Sequence, residues 1–331
     1  METLRIGQIG LGGMGHEHLE TILQCKSVEL VAICDINKEL LERVAKRTGA
    51  LGFTDYREML ERASLDAVVI ALPHWLHKEA VEDAARKGIN ILKEKPLARN
   101  LEEAQEIARI VKETGVLLMI ATQRRFARTF SRAKKLLDGG FIGNIFLLRG
   151  HFIFNWPRES FSWRGSLEKA GGGVVLDAGY HTIDLLYWYK GMPQKVYCAC
   201  SAKRGRPEWS YETEDTAVIC LKYGDGSIAY AALSWVTGPS EERIIAHGTE
   251  GTLMVDWNEI LVFEKSGSVL FRETRISRIR RETLLNQLEH FVECVKRGRK
   301  PLSNVEENLN VMRIIEGAYK SFREGKEIAI L

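Results

Sequence analysis

The stretch "LRIGQIGLGGMG" (Leu4–Gly15) decides the fold. Its first six residues form a short apolar run of the kind that makes a buried strand. The run stops at glycines, and residues 13–25 then show helical periodicity. A strand that passes through Gly10-x-Gly12-x-x-Gly15 into a helix is a phosphate-binding turn. Gly10 allows the tight turn, Gly12 lets backbone approach a pyrophosphate, and Gly15 lets the helix pack close to the strand. The helix start offers free N–H groups and partial positive charge to the phosphates, so Gly13 and Met14 join the candidate cofactor contacts.

Working outward, "VELVAIC" (28–34) is a second strand, ending at Asp35. A carboxylate about 20 residues beyond the last glycine accepts both ribose hydroxyls of an adenosine and repels a 2′-phosphate. Ile36 and Asn37 supply no cation in exchange. The expected cofactor is therefore NAD rather than NADP. "DAVVIAL" (66–72), "NILK" (90–93) and "VLLMIA" (116–121) repeat the strand style, with helical patterns at 38–48, 75–88 and 100–114. Alternating strands and helices imply crossovers and a doubly wound parallel sheet over residues 1–122. Ligands meet such sheets at the C-terminal ends of strands. "ALPHWLHKEA" (71–80) and "LKEKPLA" (92–98) both lie there. Leu72, Pro73, His74, His77, Glu94 and Lys95 are accordingly candidate cofactor contacts. His77 either lines the nicotinamide end or caps the cleft side of its helix.

The chain's 331 residues favour two domains over one. With 47 basic and 44 acidic residues, charge is nearly balanced, which argues against a dedicated nucleic-acid binder. No apolar run reaches the ~20 residues needed to cross a bilayer. The N-terminus does not read as a signal peptide, and none of the six cysteines forms a CxxC pair. The expected location is the cytoplasm, with no membrane or nucleic-acid partner.

Beyond residue 123 the alternation stops. A helix is expected at 131–140 and strands at 144–156, 195–204, 215–236, 242–256 and 259–273. Gly224-Asp-Gly226 and Gly248-Thr-Glu-Gly251 mark turns between them. This pattern predicts an α+β domain over 123–331 with an open, mostly antiparallel sheet, closed by helices at 283–297 and 305–324. An open apolar sheet face favours a homo-oligomer, dimer or tetramer. The Arg-rich segment 272–282 reads as a solvated loop or subunit contact.

Within this part, "GGGVVLDAGYHTIDLLYW" (171–188) places Asp177, His181 and Asp184 in one stripe of an otherwise apolar helix. Such a stripe must face something polar, because unpaired buried charge is costly. A metal site would want more ligands of the usual spacing, so none is expected. A structural network and an acid–base pair both remain open. Oxidising a secondary alcohol by hydride transfer requires removal of its hydroxyl proton. A neutral imidazole suits that task, a carboxylate one turn away orients the ring, and Lys95 can hydrogen-bond the same oxygen. The rings of Phe152, Phe154, Trp156, Phe161, Trp163 and Tyr180 either shape a sugar pocket or belong to the core.

Gly10-x-Gly12-x-x-Gly15, Glu94-Lys95-Pro96 and the segment Gly171 to Asp184 together resemble the glucose-fructose oxidoreductase/inositol dehydrogenase/rhizopine-catabolism family. The region around His290-Phe291 and "PLSNVEENLNVMRIIEGAYKS" is similar too, so the likeness spans nearly the whole chain. The resemblance implies a Rossmann domain, an open-sheet second domain, NAD(P) and sugar or polyol substrates. It implies that Lys95, Asp177 and His181 are catalytic and also meet the substrate. Trp163-Arg164 resembles a pair lying by cofactor or substrate in some members. Arg124-Arg125-Phe126 resembles the segment entering the second domain, which makes Arg125 a candidate substrate contact. A cis Lys95-Pro96 peptide follows from the same likeness. Two alternatives stay open: a glycoside-cleaving member with transient oxidation, and a non-catalytic nucleotide sensor.

Overall fold

A computed structural model of the chain describes residues 3–157, 161–203, 210–274 and 279–330. Two compact units emerge. The first comprises 1–98, 102–126 and 280–309; the second comprises 99–101, 127–279 and 310–331.

The first unit runs β1 (Leu4–Ile9), α1 (Met14–Ile22), β2 (Val28–Cys34), α2 (Lys38–Thr48), β3 (Leu51–Phe53), α3 (Tyr56–Arg62), β4 (Ala67–Ile70), α4 (His77–Arg86), β5 (Asn90–Glu94), α5 (Leu101–Thr114) and β6 (Leu118–Ala121). Its six strands lie in the order β3-β2-β1-β4-β5-β6, all parallel. Order reverses between β1 and β4, and that switch point is where a doubly wound sheet opens to ligands. The sheet is buried on both faces, which is why its strands read as continuous apolar runs rather than alternating ones. The pair β3–α3 escapes the sequence patterns because "LGF" is only three residues long. Asp55 caps α3 by accepting from the Arg57 N–H.

The second unit runs α6 (Arg128–Asp138), β7 (Ile145–Asn155), α7 (Leu167–Ala170), α8 (Ala178–Lys190), β8 (Lys195–Ser201), β9 (Thr216–Lys222), β10 (Ile228–Ser234), β11 (Val236–Gly248), β12 (Gly251–Val255), β13 (Glu259–Glu264) and β14 (Val269–Thr274). Helices α9 (Ile279–Arg297) and α10 (Val305–Glu324) and the short β15 (Ile328–Ala329) finish the chain. Nine strands form one sheet in the order β14-β13-β12-β11-β7-β10-β9-β8-β15. Among the described residues of this sheet, only β7 and β10 pair in parallel. The β9–β10 and β11–β12 hairpins turn at the expected glycines. Strand β11 begins earlier than its pattern suggests, because a register shift between Val236 and Glu241 absorbs Gly238-Pro239.

A single cut at residue 122 does not capture the division. The segment 280–309 returns to the first unit. Leu288, Phe291 and Val292 of α9 share a core with Leu4, Ile6, Val69, Leu92 and Met119. Helix α8 packs on β7 and β10 and is buried around most of its circumference.

Candidate active site

In the first unit, β1 delivers Gly10 with φ 89°, a left-handed conformation that suits glycine. A Cβ there would stand 2.2 Å from the Ala71 carbonyl oxygen, and one at Gly15 would stand 2.2 Å from the Gly10 carbonyl oxygen. These two glycines are needed for protein packing. Gly12 and Gly13 have nothing within 4 Å of a Cβ position, so the outer side of the turn is open. Helix α1 begins there without a side-chain cap, which leaves a helix N-terminus facing the opening. Buried Gln8 fastens the turn from behind, donating to the Gly10 (2.9 Å) and Gly15 (2.6 Å) carbonyls. Sequence reasoning missed Gln8, although an amide in a buried strand was a visible signal.

Asp35 stands at the end of β2. Its Oδ2 accepts from the Leu11 N–H and its Oδ1 from the Asn37 N–H, both at 2.8 Å. The carboxylate is thus fixed in place, and each oxygen retains a second lone pair for a ribose hydroxyl. The open turn, the helix start and the fixed carboxylate together fit a dinucleotide.

Lys95 follows β5, is partly exposed, and precedes Pro96 through a cis peptide. The loop that carries it is braced by buried groups. Lys93 Nζ donates to the Glu94 (2.7 Å) and Pro96 (2.5 Å) carbonyls and to His77 Nδ1 (2.8 Å). His77 Nε2 lies 2.8 Å from the Leu72 carbonyl, so the tautomer with Nε2–H satisfies both ring nitrogens. Burial, with the Lys93 charge beside it, pulls the His77 pKa well below the usual imidazole value. Burial likewise pulls the Lys93 amine well below its usual value. Glu94 is buried against His18 Nε2 at 2.8 Å. The expectation of His77 at the nicotinamide end needs correction. It is 0% exposed and stands behind the loop. Leu72 and Pro73 are half-buried at the end of β4, and His74 is buried.

In the second unit, the glycine triplet 171–173 leads into α8. A Cβ at Gly173 would fall 2.0 Å from the Glu214 carbonyl oxygen. The Glu214 carboxylate accepts from the Gly173 (2.9 Å) and Val175 (3.0 Å) N–H groups and from Tyr319 Oη (2.8 Å). Burial pushes the Glu214 carboxyl above its usual pKa. Glu214, which the sequence did not single out, therefore holds the backbone just before Asp177. Asp177 is the N-cap residue of α8, and its side chain is 4% exposed. Its Oδ2 accepts from Arg164 Nε at 2.7 Å. The Arg164 guanidinium lies over the Trp163 (4.3 Å) and Trp156 (5.1 Å) rings. His181, one turn on, is buried, with its ring centroid 6.4 Å from that of Phe152. Asp184 is buried a further turn along.

Arg125 is a further candidate for the substrate. It is buried within the first unit, donating to the Leu302 carbonyl and Glu307 Oε2, each at 3.0 Å. Of the Arg-rich segment, Arg272 pairs with Glu259 and Arg280 Nη2 donates to Met14 Sδ at 3.0 Å. Arg275 and Arg278 lie outside the described residues. Among the described residues, no group of three or more His, Cys, Asp or Glu could hold a metal ion. No helix there is long and apolar enough to cross a membrane.

A phosphate-binding turn at the switch point of a parallel sheet, followed by a unit built on an open antiparallel sheet, defines a dinucleotide-dependent oxidoreductase. The chain belongs to the GFO/IDH/MocA family. Residues 4–122 match its oxidoreductase family, NAD-binding Rossmann fold, and residues 130–254 match the GFO/IDH/MocA C-terminal domain. The scyllo-inositol 2-dehydrogenase (NAD(+)) of Bacillus subtilis is 27% identical, covering 99% of this chain and 96% of that one. The D-xylose 1-dehydrogenase (NADP(+)) 2 of Haloferax volcanii is also 27% identical, covering 99% and 100%. The crystal structure of myo-inositol 2-dehydrogenase from Lactobacillus plantarum superposes with a TM-score of 0.86 at 28% identity, covering 100% of each chain.

Proposed function

We propose that the protein reversibly oxidises a secondary hydroxyl of a ring sugar, inositol or sugar derivative, with NAD as hydride acceptor. The observation that carries this reading is the arrangement of side chains at the start of α8. Asp177 is fixed by Arg164, with His181 one turn away in a buried position. His181 accepts the hydroxyl proton as a neutral base, and the Asp177 carboxylate stabilises the charged ring that results. Lys95 donates a hydrogen bond to the same substrate oxygen and stabilises its developing negative charge. The bound nicotinamide supplies the hydride acceptor. The fixed Asp35 carboxylate selects a free ribose hydroxyl. Glu94, Lys95, Trp163 and Arg164 line the cofactor or substrate.

The dehydrogenases of inositol and xylose among the relatives support the substrate class. Tyr197, Val218 and Ile228 are exposed large side chains on the second unit's sheet and favour a homo-oligomer. The free cysteines suit a reducing cytoplasm.

The test is a screen of polyols, aldoses and glycosides with NAD, reading NADH absorbance. Net NADH with at least one ring substrate is expected. Release of a leaving group without net NADH would instead identify a glycoside-cleaving enzyme. NAD binding without turnover across the panel would identify a sensor.

A further inference from the structure

Strand period two puts Gly150, Phe152 and Phe154 on one face of β7, and Trp156 continues the row just past its end. Two close approaches identify that face. A Cβ at Gly150 would stand 2.4 Å from Thr182 Cγ2 of α8. Leu233, the ladder partner of Phe152, stands 2.6 Å from the Cβ position of Gly179, also on α8. The three rings therefore share the face that α8 covers, yet all three remain partly exposed. They follow one another closely, with centroids 4.8 Å apart for Phe152–Phe154 and 5.3 Å for Phe154–Trp156. Trp156 stacks at 5.2 Å on Trp235, which is 0% exposed and gives the wall a rigid backing. One end of the wall meets His181 and the other meets Arg164, which holds Asp177.

We propose that this wall seats a flat apolar aglycone, so that the preferred substrates are aryl glycosides rather than free polyols; the inference rests on the sugar oxidoreductase reading above. Three side chains at alternate positions cover roughly 13 Å of strand. That is longer than one monosaccharide ring, and leaves room for a second ring beside the one presented to His181. A free polyol carries a hydroxyl on every ring carbon. Phe152 and Phe154 offer those hydroxyls no donor or acceptor, so burying them there is unfavourable. A flat apolar group gains burial and edge or face contacts with the same rings.

The test uses the NAD-loaded protein with matched phenyl and methyl glycosides of glucose, galactose and xylose, and with myo-inositol. Binding is read by calorimetry and turnover by NADH absorbance. Phenyl glycosides are expected to exceed their methyl partners in kcat/KM by about tenfold or more. Phe154→Ala brings that ratio towards one, mainly by raising KM for the phenyl member, and Phe154→Leu restores part of it. Retained NAD affinity shows that each variant is folded. Methyl glycosides or myo-inositol turned over as well as phenyl glycosides would overturn the inference and leave the oxidoreductase reading standing. So would a ratio that Phe154→Ala does not move. Phenyl glycosides bound in preference to methyl glycosides, with the preference lost in Phe154→Ala, but never oxidised would support the aglycone seat and overturn both oxidation and the substrate preference drawn from it. Failure of every phenyl glycoside to bind would overturn the inference.

Discussion

Asp35 and His77 show how much a single side chain's surroundings decide. Asp35 directly follows β2 and His77 opens α4 in the connection after β4, and sequence position alone makes both candidate cofactor contacts. Asp35 keeps an open side: two backbone N–H groups fix its carboxylate without exhausting it. Asp35→Ala should lower affinity for NAD while leaving that for NADP equal or better, measured by titrating each cofactor. An unchanged NAD-to-NADP ratio would refute its role. His77 has no open side. Its folded pKa lies well below the usual value, so on acidification the unfolded chain takes up a proton that the folded chain refuses. Stability is therefore present above pH ~6.5 and lost as pH falls below it, levelling off only at the depressed folded pKa. His77→Gln keeps a donor and an acceptor but cannot titrate. Between pH 7 and 5, its unfolding free energy should fall by up to about 2 kcal/mol less than wild type's. Equal acid sensitivity in chemical denaturation would show that His77 is not held neutral. Arg125, a candidate through the family resemblance, is likewise buried, and it pairs with Glu307.

Elements with a strong period were legible, and elements defined by contact were not. The apolar runs of the parallel sheet, the glycine turn into α1 and the hairpins at glycine turns all carry local signals. The short β3 and the bulged start of β11 carry almost none. In the candidate site, the residues of α8 were readable because Asp177 and His181 interrupt an apolar helix. Their supports were not readable as such: the resemblance named Arg164, but not as the partner of Asp177, and nothing singled out Glu214. Arg164 reaches Asp177 from a separate turn, and Glu214 reaches Gly173 from 41 positions along the chain. Lys93 and Gln8 were visible only as polar residues out of place in buried strands. The glycine triplet becomes intelligible once Glu214 is known to lie against it. Gly173→Ala must push a methyl group into the Glu214 backbone, at a cost of about 2–3 kcal/mol. Because the Asp177 N–H donates to the Gly173 carbonyl at 3.0 Å, the start of α8 should shift with it. The expected outcome is a lower Tm and a lower kcat with NAD affinity retained. A variant with wild-type Tm and kcat would show that this approach is not tight.

At the scale of the whole molecule, the chain crosses between its two units more than once. The return of 280–309 to the first unit was not foreseeable, because an amphipathic helix does not announce which core it completes. Leu288, Phe291 and Val292 settle it by packing on β1, β4, β5 and β6. The functional reading divides its chemistry in the same way. The first unit contributes the cofactor cradle and Lys95, and the second contributes Asp177 and His181. Hydride transfer should then require both, while NAD binding requires the first alone. The direct measurement is NADH formation by wild type, Lys95→Ala and His181→Ala on the best ring substrate, with NAD affinity determined for each. The account predicts that either substitution abolishes turnover and leaves NAD affinity near wild type. Full turnover in either variant would contradict it.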